Sequence, residues 1–201
     1  MIIVDGNKSS KAIGTFDNLE QMLSSLVQEE NMEGRVITDV IVNNEAFSEI
    51  YPHQAEDISC DFISSVEVRS VPSSELAVDI AGELDKVTRM MGHGAREVSR
   101  LFREASDTEA LELLQDLLDV TRDFMNMLGD LRQRYAKEES SEFSEKTDKL
   151  SSLLSEMGDA LEDEDWILLA DMLEYEFLPI CADWGQVSER LRDKIIKRVA
   201  Q

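Results

Sequence analysis

The sequence predicts a small α+β module followed by an all-α helical bundle, a mostly α chain overall, and three observations carry that prediction. Strand-like alternation is confined almost entirely to residues 1–71, where β-branched residues recur at every second position. From residue 72 onward apolar residues recur every third or fourth position. Between the two rhythms stands Pro72, a poor continuation of a strand, followed by Ser73 and Ser74, good helix N-caps. The division is therefore 1–71 for the mixed module and 72–201 for a bundle of four to five helices.

Within the first part, MIIVD reads as a strand that stops at Gly6. TFDNLEQMLSSLVQEEN then places Phe16, Leu19, Leu23, Leu26 and Val27 at helical spacing, with Asp17 or Thr15 as cap and Gly34 just beyond, where helices stop. RVITDVIV alternates, with Val36, Thr38, Val40 and Val42 on one face. Asn43 and Asn44 both tolerate positive φ and fit a hairpin turn into a return strand, EAFSEIY. HQAEDISCDF is ambiguous, with a short helical turn as one reading, and ISSVEVRSV alternates again through Val66 and Val68. The order strand, helix, hairpin, connection, strand resembles the β-grasp (ubiquitin-like) fold, in which one helix crosses a mixed sheet. That pattern begins with a full hairpin, and residues 7–14 offer only Lys11-Ala12-Ile13 as a second strand. The resemblance implies a fold and carries over no functional residue.

The second part predicts helices over 74–104, 107–136 and 141–161. The first shows Leu76, Ile80, Leu84, Val87, Met91, Val98 and Phe102 on one face. The second shows Ala110, Leu114, Leu117, Thr121, Phe124, Leu128, Leu131 and Tyr135, and the third Phe143, Thr147, Leu150, Leu154, Met157 and Leu161. Alternating four-three spacing is the seam of near-parallel packed helices, and short connections make neighbours antiparallel. A coiled-coil rod competes with the bundle, but each seam spans only three or four heptads. Helices over 164–178 and 183–199 complete the set, with Pro179 ending or kinking the first.

The stretch EDEDWILLADMLEYEFLPICADW is apolar on nearly every side of a helix. Trp166, Leu169, Ala170, Leu173, Phe177 and Ile180 share one face, and Leu168, Met172 and Tyr175 lie opposite. Such a helix is expected to be buried between the other helices and something further, either the first module or a second copy of the chain. Asp171 and Glu174 form an acidic pair that needs a partner if buried, and Arg89, Arg96, Arg122 and Arg132 are the candidates. Trp166, Asp171, Glu174, Tyr175 and Trp184 are the candidate interaction or structural-network residues. Residues 163–179 resemble a D/E-D-W-x-x-L-A-D-x-L-E-Y-E-x-x-P signature of bacterial proteins that couple a small β-grasp-like module to helices; the resemblance implies no activity.

Charge and motifs exclude more than they name. The chain holds 43 acids against 20 bases, a formal net charge of −23, which opposes nucleic-acid binding and docking on an anionic membrane. No stretch approaches the roughly 18 apolar residues of a membrane span, and MIIVDGNKSS has no basic, apolar leader pattern. Cys60 and Cys181 stand far apart without a CxxC, which predicts reduced, buried thiols of a cytoplasmic protein. Phosphate loops and EF-hand spacing are absent. His53 falls in a loop, and His93 sits between Gly92 and Gly94, where close helix packing, a helix break and an exposed site compete.

One enzyme pattern remains. All-α nucleotide pyrophosphohydrolases of the MazG type hold magnesium with ExxE and ExxD pairs, which Glu109/Glu112 and Glu156/Asp159 resemble. Carboxylates at i and i+3 share a helix face and can chelate a hard cation. Chance produces such pairs readily among 43 acids, as Glu139/Glu142 and Glu162/Asp165 illustrate, and the motif's surroundings are missing. The last segment, SERLRDKIIKRVAQ, reverses the global charge with Arg190, Arg192, Lys194, Lys197 and Arg198 around the apolar positions Val187, Leu191, Ile195 and Val199. It reads as a terminal helix complementing its own dipole, or as an amphipathic contact surface. The expectation is a non-catalytic adaptor, chaperone-like or regulatory protein of the bacterial cytoplasm. It would need no cofactor and would bind another protein of basic character, a homodimer also being compatible; the alternative is the metal-dependent hydrolase.

Overall fold

Asp5 and Gly6 both take positive φ, 48° and 78°, and close a two-residue hairpin between β1 (Ile2–Val4) and β2 (Asn7–Lys8). The structure is a computed structural model that describes residues 1–48, 54–136 and 141–199. It divides into two compact units, Met1–Leu76 and Ala77–Gln201. The first strand pair corrects the expectation for residues 7–14: Lys11 and Ala12 form no strand, and Ile13–Thr15 is a 3-10 turn. An Asp-Gly hairpin leaves room for only two residues of return strand, too few to show a period.

Helix α1 (Leu19–Val27) is capped by Asn18, whose side chain accepts from the Gln21 amide at 2.9 Å, rather than by Asp17 or Thr15. Gln21 reciprocates by accepting from the Asp17 amide at 2.7 Å. The helix stops at Val27, a 3-10 turn follows (Glu30–Met32), and Gly34 at φ 69° makes the bend beyond it. Strand β3 (Arg35–Val42) turns at Asn43 and Asn44, φ 52° and 71°, as expected, into β4 (Glu45–Phe47), which ends before Ser48, while residues 49–51 of the expected return strand lie outside the described residues. A register shift between Ile37 and Asp39 breaks β3's alternation, so Ile37, Val40 and Val42 pack on the core while Thr38 faces solvent. Two 3-10 turns (Ala55–Asp57 and Cys60–Phe62) lead into β5 (Val66–Pro72).

The sheet order is β2-β1-β5-β3-β4, with β1 parallel to β5 and the other neighbours antiparallel. Ile2, Val4, Val66 and Val68 of its two central strands meet Leu19, Met22 and Leu26 of α1 in one core. Above that core Asp5 gathers three strands. Its carboxylate accepts from the Ser70 amide at 2.7 Å, the Ser70 hydroxyl at 2.6 Å and Arg35 Nη2 at 3.2 Å. Pro72 still pairs with Arg35, and helix α2 (Ser73–Arg103) begins at the next residue.

The second unit holds most of α2, then α3 (Asp107–Tyr135), α4 (Ser141–Glu162), α5 (Trp166–Met172), a π segment (Leu173–Phe177) and α6 (Leu178–Val199). The α3 seam is buried along Ala110, Leu114, Leu117, Thr121, Phe124, Leu128 and Leu131, as its spacing predicts. On α4 the buried stripe runs through Leu150, Leu153, Met157 and Ala160, so Leu154 and Leu161 are only partly covered. Helix α2 runs unbroken through Gly92-His93-Gly94. Gly92 lies against Leu178 and Gly94 against Leu117, with prospective Cβ contacts of 3.5 Å each, while His93 is exposed.

Pro179 does not separate two helices. The Leu178 amide donates to the Leu173 carbonyl, five residues back, and the widened turn carries the helix past an exposed Pro179 into α6. Because Pro has no N–H, its acceptor must lie where water can reach it, and Tyr175 and Glu176 in this turn are exposed. The chain is thus an α+β module with a five-stranded sheet followed by packed helices. Among the described residues no helix is long and apolar enough to cross a membrane.

Candidate docking site

Asp165 starts the helix that carries the five singled-out residues, its carboxylate accepting from the Leu168 amide at 3.0 Å. Trp166 stacks on Phe102 of α2 with centroids 5.4 Å apart. One turn on, the Ser99 hydroxyl donates to the Ala170 carbonyl at 3.0 Å. These contacts lock the inner face of α5 to the end of α2, with Leu169, Ala170, Met172, Leu173 and Phe177 buried.

The acidic pair is held by Arg103, not by Arg89, Arg96, Arg122 or Arg132. Arg103 Nη2 lies 2.7 Å from Asp171 Oδ1, and Nη1 lies 2.5 Å from Glu174 Oε2. The hydrogen bond to Asp171 is the main influence raising the Arg103 pKa, which keeps the guanidinium charged. The side chains are 35% (Arg103), 51% (Asp171) and 41% (Glu174) exposed, so the pair is matched by an arginine of a neighbouring helix in a half-exposed clamp. Arg89 instead pairs with Asp85, and Arg122 with Asp119 and Asp123. Arg132 lies over the Phe143 ring, 4.1 Å from its centroid.

The expectation of burial on all sides fails on the outer face. Ile167, Leu168 and Tyr175 are 58%, 47% and 66% exposed. Three of the large exposed apolar side chains thus fall on one helical face, where scattered ones would need no explanation. Glu162, Asp163, Glu164, Asp165, Asp171 and Glu176 are all exposed on the same stretch, with Asp171 one turn from each of the three, and Arg103 is already matched by two carboxylates. The signal in the sequence was the apolar set opposite the main face, Leu168, Met172 and Tyr175, of which only Met172 is buried.

Trp184 belongs to the core. It is fully buried on α6 and meets Phe124 and Phe143 edge-on, with centroids 6.3 Å and 5.3 Å away. Its Nε1–H has no hydrogen-bond acceptor among the described residues.

The groups offered for catalysis do not assemble. Glu109, Glu112, Glu156 and Asp159 are exposed, and Glu156 accepts from the Ser152 hydroxyl at 3.0 Å. Among the described residues no group of three or more His, Cys, Asp and Glu comes together around a point where a metal could sit. His53 and Glu139 lie outside the described residues. A groove of about 470 Å³ between α2 and α6 has Gly92, Cys181 and Gly185 among its lining residues. Burial pushes the Cys181 thiol up to about 12, so it is protonated at neutral pH and is a poor nucleophile. Cys60, also free and buried, is raised for the same first reason.

Residues 79–187 match a family model described as Domain of unknown function (DUF8042), and residues 1–71 match another described as Domain of unknown function (DUF8043). No curated protein and no solved structure matches the chain.

Proposed function

The chain belongs to the family of the domain of unknown function DUF8042, whose model spans more than half of it, and we propose that it is a non-catalytic protein-binding module. The observation that carries this reading is the outer face of α5 and the π segment, where Ile167, Leu168 and Tyr175 stand exposed among exposed carboxylates. Apolar side chains set in a charged rim are the anatomy of a protein interface, and aromatic residues are favoured at its energetic centre. The rim selects the partner: a segment with apolar anchors and basic flanks, laid as a helix along the face. Adaptor, chaperone-like and regulatory roles all use such a face.

The first unit adds a scaffold to this reading. Its strand order, with β1 and β5 parallel at the centre and one helix packed across the sheet, supports its assignment as a β-grasp. A bacterial cytoplasmic setting fits two free, buried cysteines and an acidic surface.

The test is a titration with a fluorescently labelled amphipathic Lys/Leu helical peptide, read by anisotropy. Leu168→Ser with Tyr175→Ser keeps every charge and removes the anchors, so affinity is expected to fall at least tenfold. Equal binding by the variant and the parent would reduce the interaction to bulk charge and remove the reading.

A further inference from the structure

The chain carries its own candidate for the acid-rimmed face. We propose that the exposed, basic end of α6 docks on that face of a second copy, so that the protein associates head to tail. The inference rests on the docking reading above.

Charge is the first argument. Arg190, Arg192, Lys194, Lys197 and Arg198 are all exposed, with Glu189 and Asp193 interleaved among them, in a chain whose net charge is −23. Ile196 is exposed among them, an apolar anchor within a cationic surface. Part of this end is tied internally. Arg190 pairs with Glu142 at 2.8 Å, and Arg198 donates to the carbonyl of Tyr135 at 3.1 Å. Those contacts hold the end of α6 against α3 and α4 and leave Ile196 and Lys197 facing out.

Geometry is the second argument. Both surfaces lie on one uninterrupted helical run, α5, the π segment and α6. Tyr175 and Lys197 are 22 residues apart on it, which is about 33 Å at the α-helical rise. The two poles of one copy therefore cannot meet, and each can be matched only by another molecule. Two different surfaces can pair once per contact, giving chains or larger rings, or twice between antiparallel copies, closing a two-fold dimer. Opposite charges at a solvent-exposed contact also make it salt-sensitive.

Sedimentation velocity on the full chain, from micromolar to millimolar concentration, tests this. At low salt the average mass is expected to rise above the monomer with concentration, and high salt should return it to the monomer. Leu168→Ser with Tyr175→Ser blunts one pole, and Ile196→Glu with Lys197→Glu reverses the other. All four side chains face solvent, and an unchanged circular dichroism melt checks each fold. Each variant alone should be monomeric, and their equimolar mixture should give a 1:1 dimer and nothing larger. A parent that stays monomeric at low salt overturns the proposal, as does self-association that neither variant changes or a mixture that stays monomeric. If the parent is monomeric yet still binds the Lys/Leu peptide through Leu168 and Tyr175, self-docking fails while the docking face stands. If neither occurs, both fail.

Discussion

Arg103 and Asp171 are 68 positions apart in the chain and meet at 2.7 Å, with Glu174 completing the clamp from the next turn. The contact joins the end of α2 to α5. Because all three side chains are a third to a half exposed, solvent screens it. Arg103→Met is therefore expected to cost about 1 kcal/mol or less, where a buried pair left unmatched would cost about 3–5 kcal/mol. Urea denaturation of the variant decides between the two magnitudes.

The Asp5 carboxylate is held below its ordinary pKa of 3.8, first by the Ser70 hydroxyl and then by the Ser70 amide, with Arg35 adding to both. A group depressed in the folded state stabilises it at pH values above its unfolded pKa, and that contribution disappears as pH falls through the folded value. The first unit should therefore lose stability as the solution is acidified below about pH 4. Asp5→Asn should flatten that part of the profile, and melts of both proteins between pH 2 and 6 measure the difference, with identical slopes excluding Asp5 as the source.

Two helical glycines should respond with opposite sign. Gly158 has open space where a Cβ would stand, so Gly158→Ala should stabilise by up to about 1 kcal/mol through helix propensity. A Cβ on Gly185 would lie 3.1 Å from the Thr88 hydroxyl, which is buried and donates to the Asp85 carbonyl at 2.8 Å. Moving the Thr88 hydroxyl aside would strain or break that buried hydrogen bond, so Gly185→Ala should cost about 1 kcal/mol net of the propensity gain. Thermal melts of the pair give both signs.

Ala105 sits at φ 57° beyond the end of α2, where the Ser106 amide donates to the Leu101 carbonyl at 3.0 Å. An L-residue in that conformation is strained by about 1 kcal/mol, which Ala105→Gly should recover. A lower denaturation midpoint for the variant would contradict this account of the turn.

Cys181 should behave as an inert thiol. With its pKa near 12 it carries almost no thiolate at neutral pH, and burial blocks reagents. Ellman's reagent should label it only as fast as the second unit opens, and prompt labelling in native buffer would show that the α2–α6 groove exposes it.

The readable parts of this fold were those whose signal is local and periodic. The α3 seam was legible to the residue because its four-three spacing matches the burial observed. The Asn43-Asn44 turn was legible because two left-handed residues in a row suit little else. Asp5-Gly6 carried an equally good turn signal, but a two-residue strand has no rhythm to accompany it. The irregularity at Ile37–Asp39 cancels alternation at the point where it would have been read. Arg103 was invisible as the partner of Asp171 because no spacing rule reaches across 68 residues. The exposure of Ile167, Leu168 and Tyr175 was not legible for a different reason: hydrophobicity on every side argues for burial and does not say what provides it.

The wide turn at Leu173–Phe177 sets the azimuth of everything that follows it. A π turn holds one residue more than the α-turn it replaces, so rewinding Leu173–Phe177 as ordinary α-helix, with no residue removed, would rotate the remainder by about 100°. Trp184 and Ile195 would then swing off the axis that Leu169 now shares with them, out of the core and toward water. The long helix behaves as two screw threads cut with a one-residue offset, and the second engages its nut only while that offset is kept.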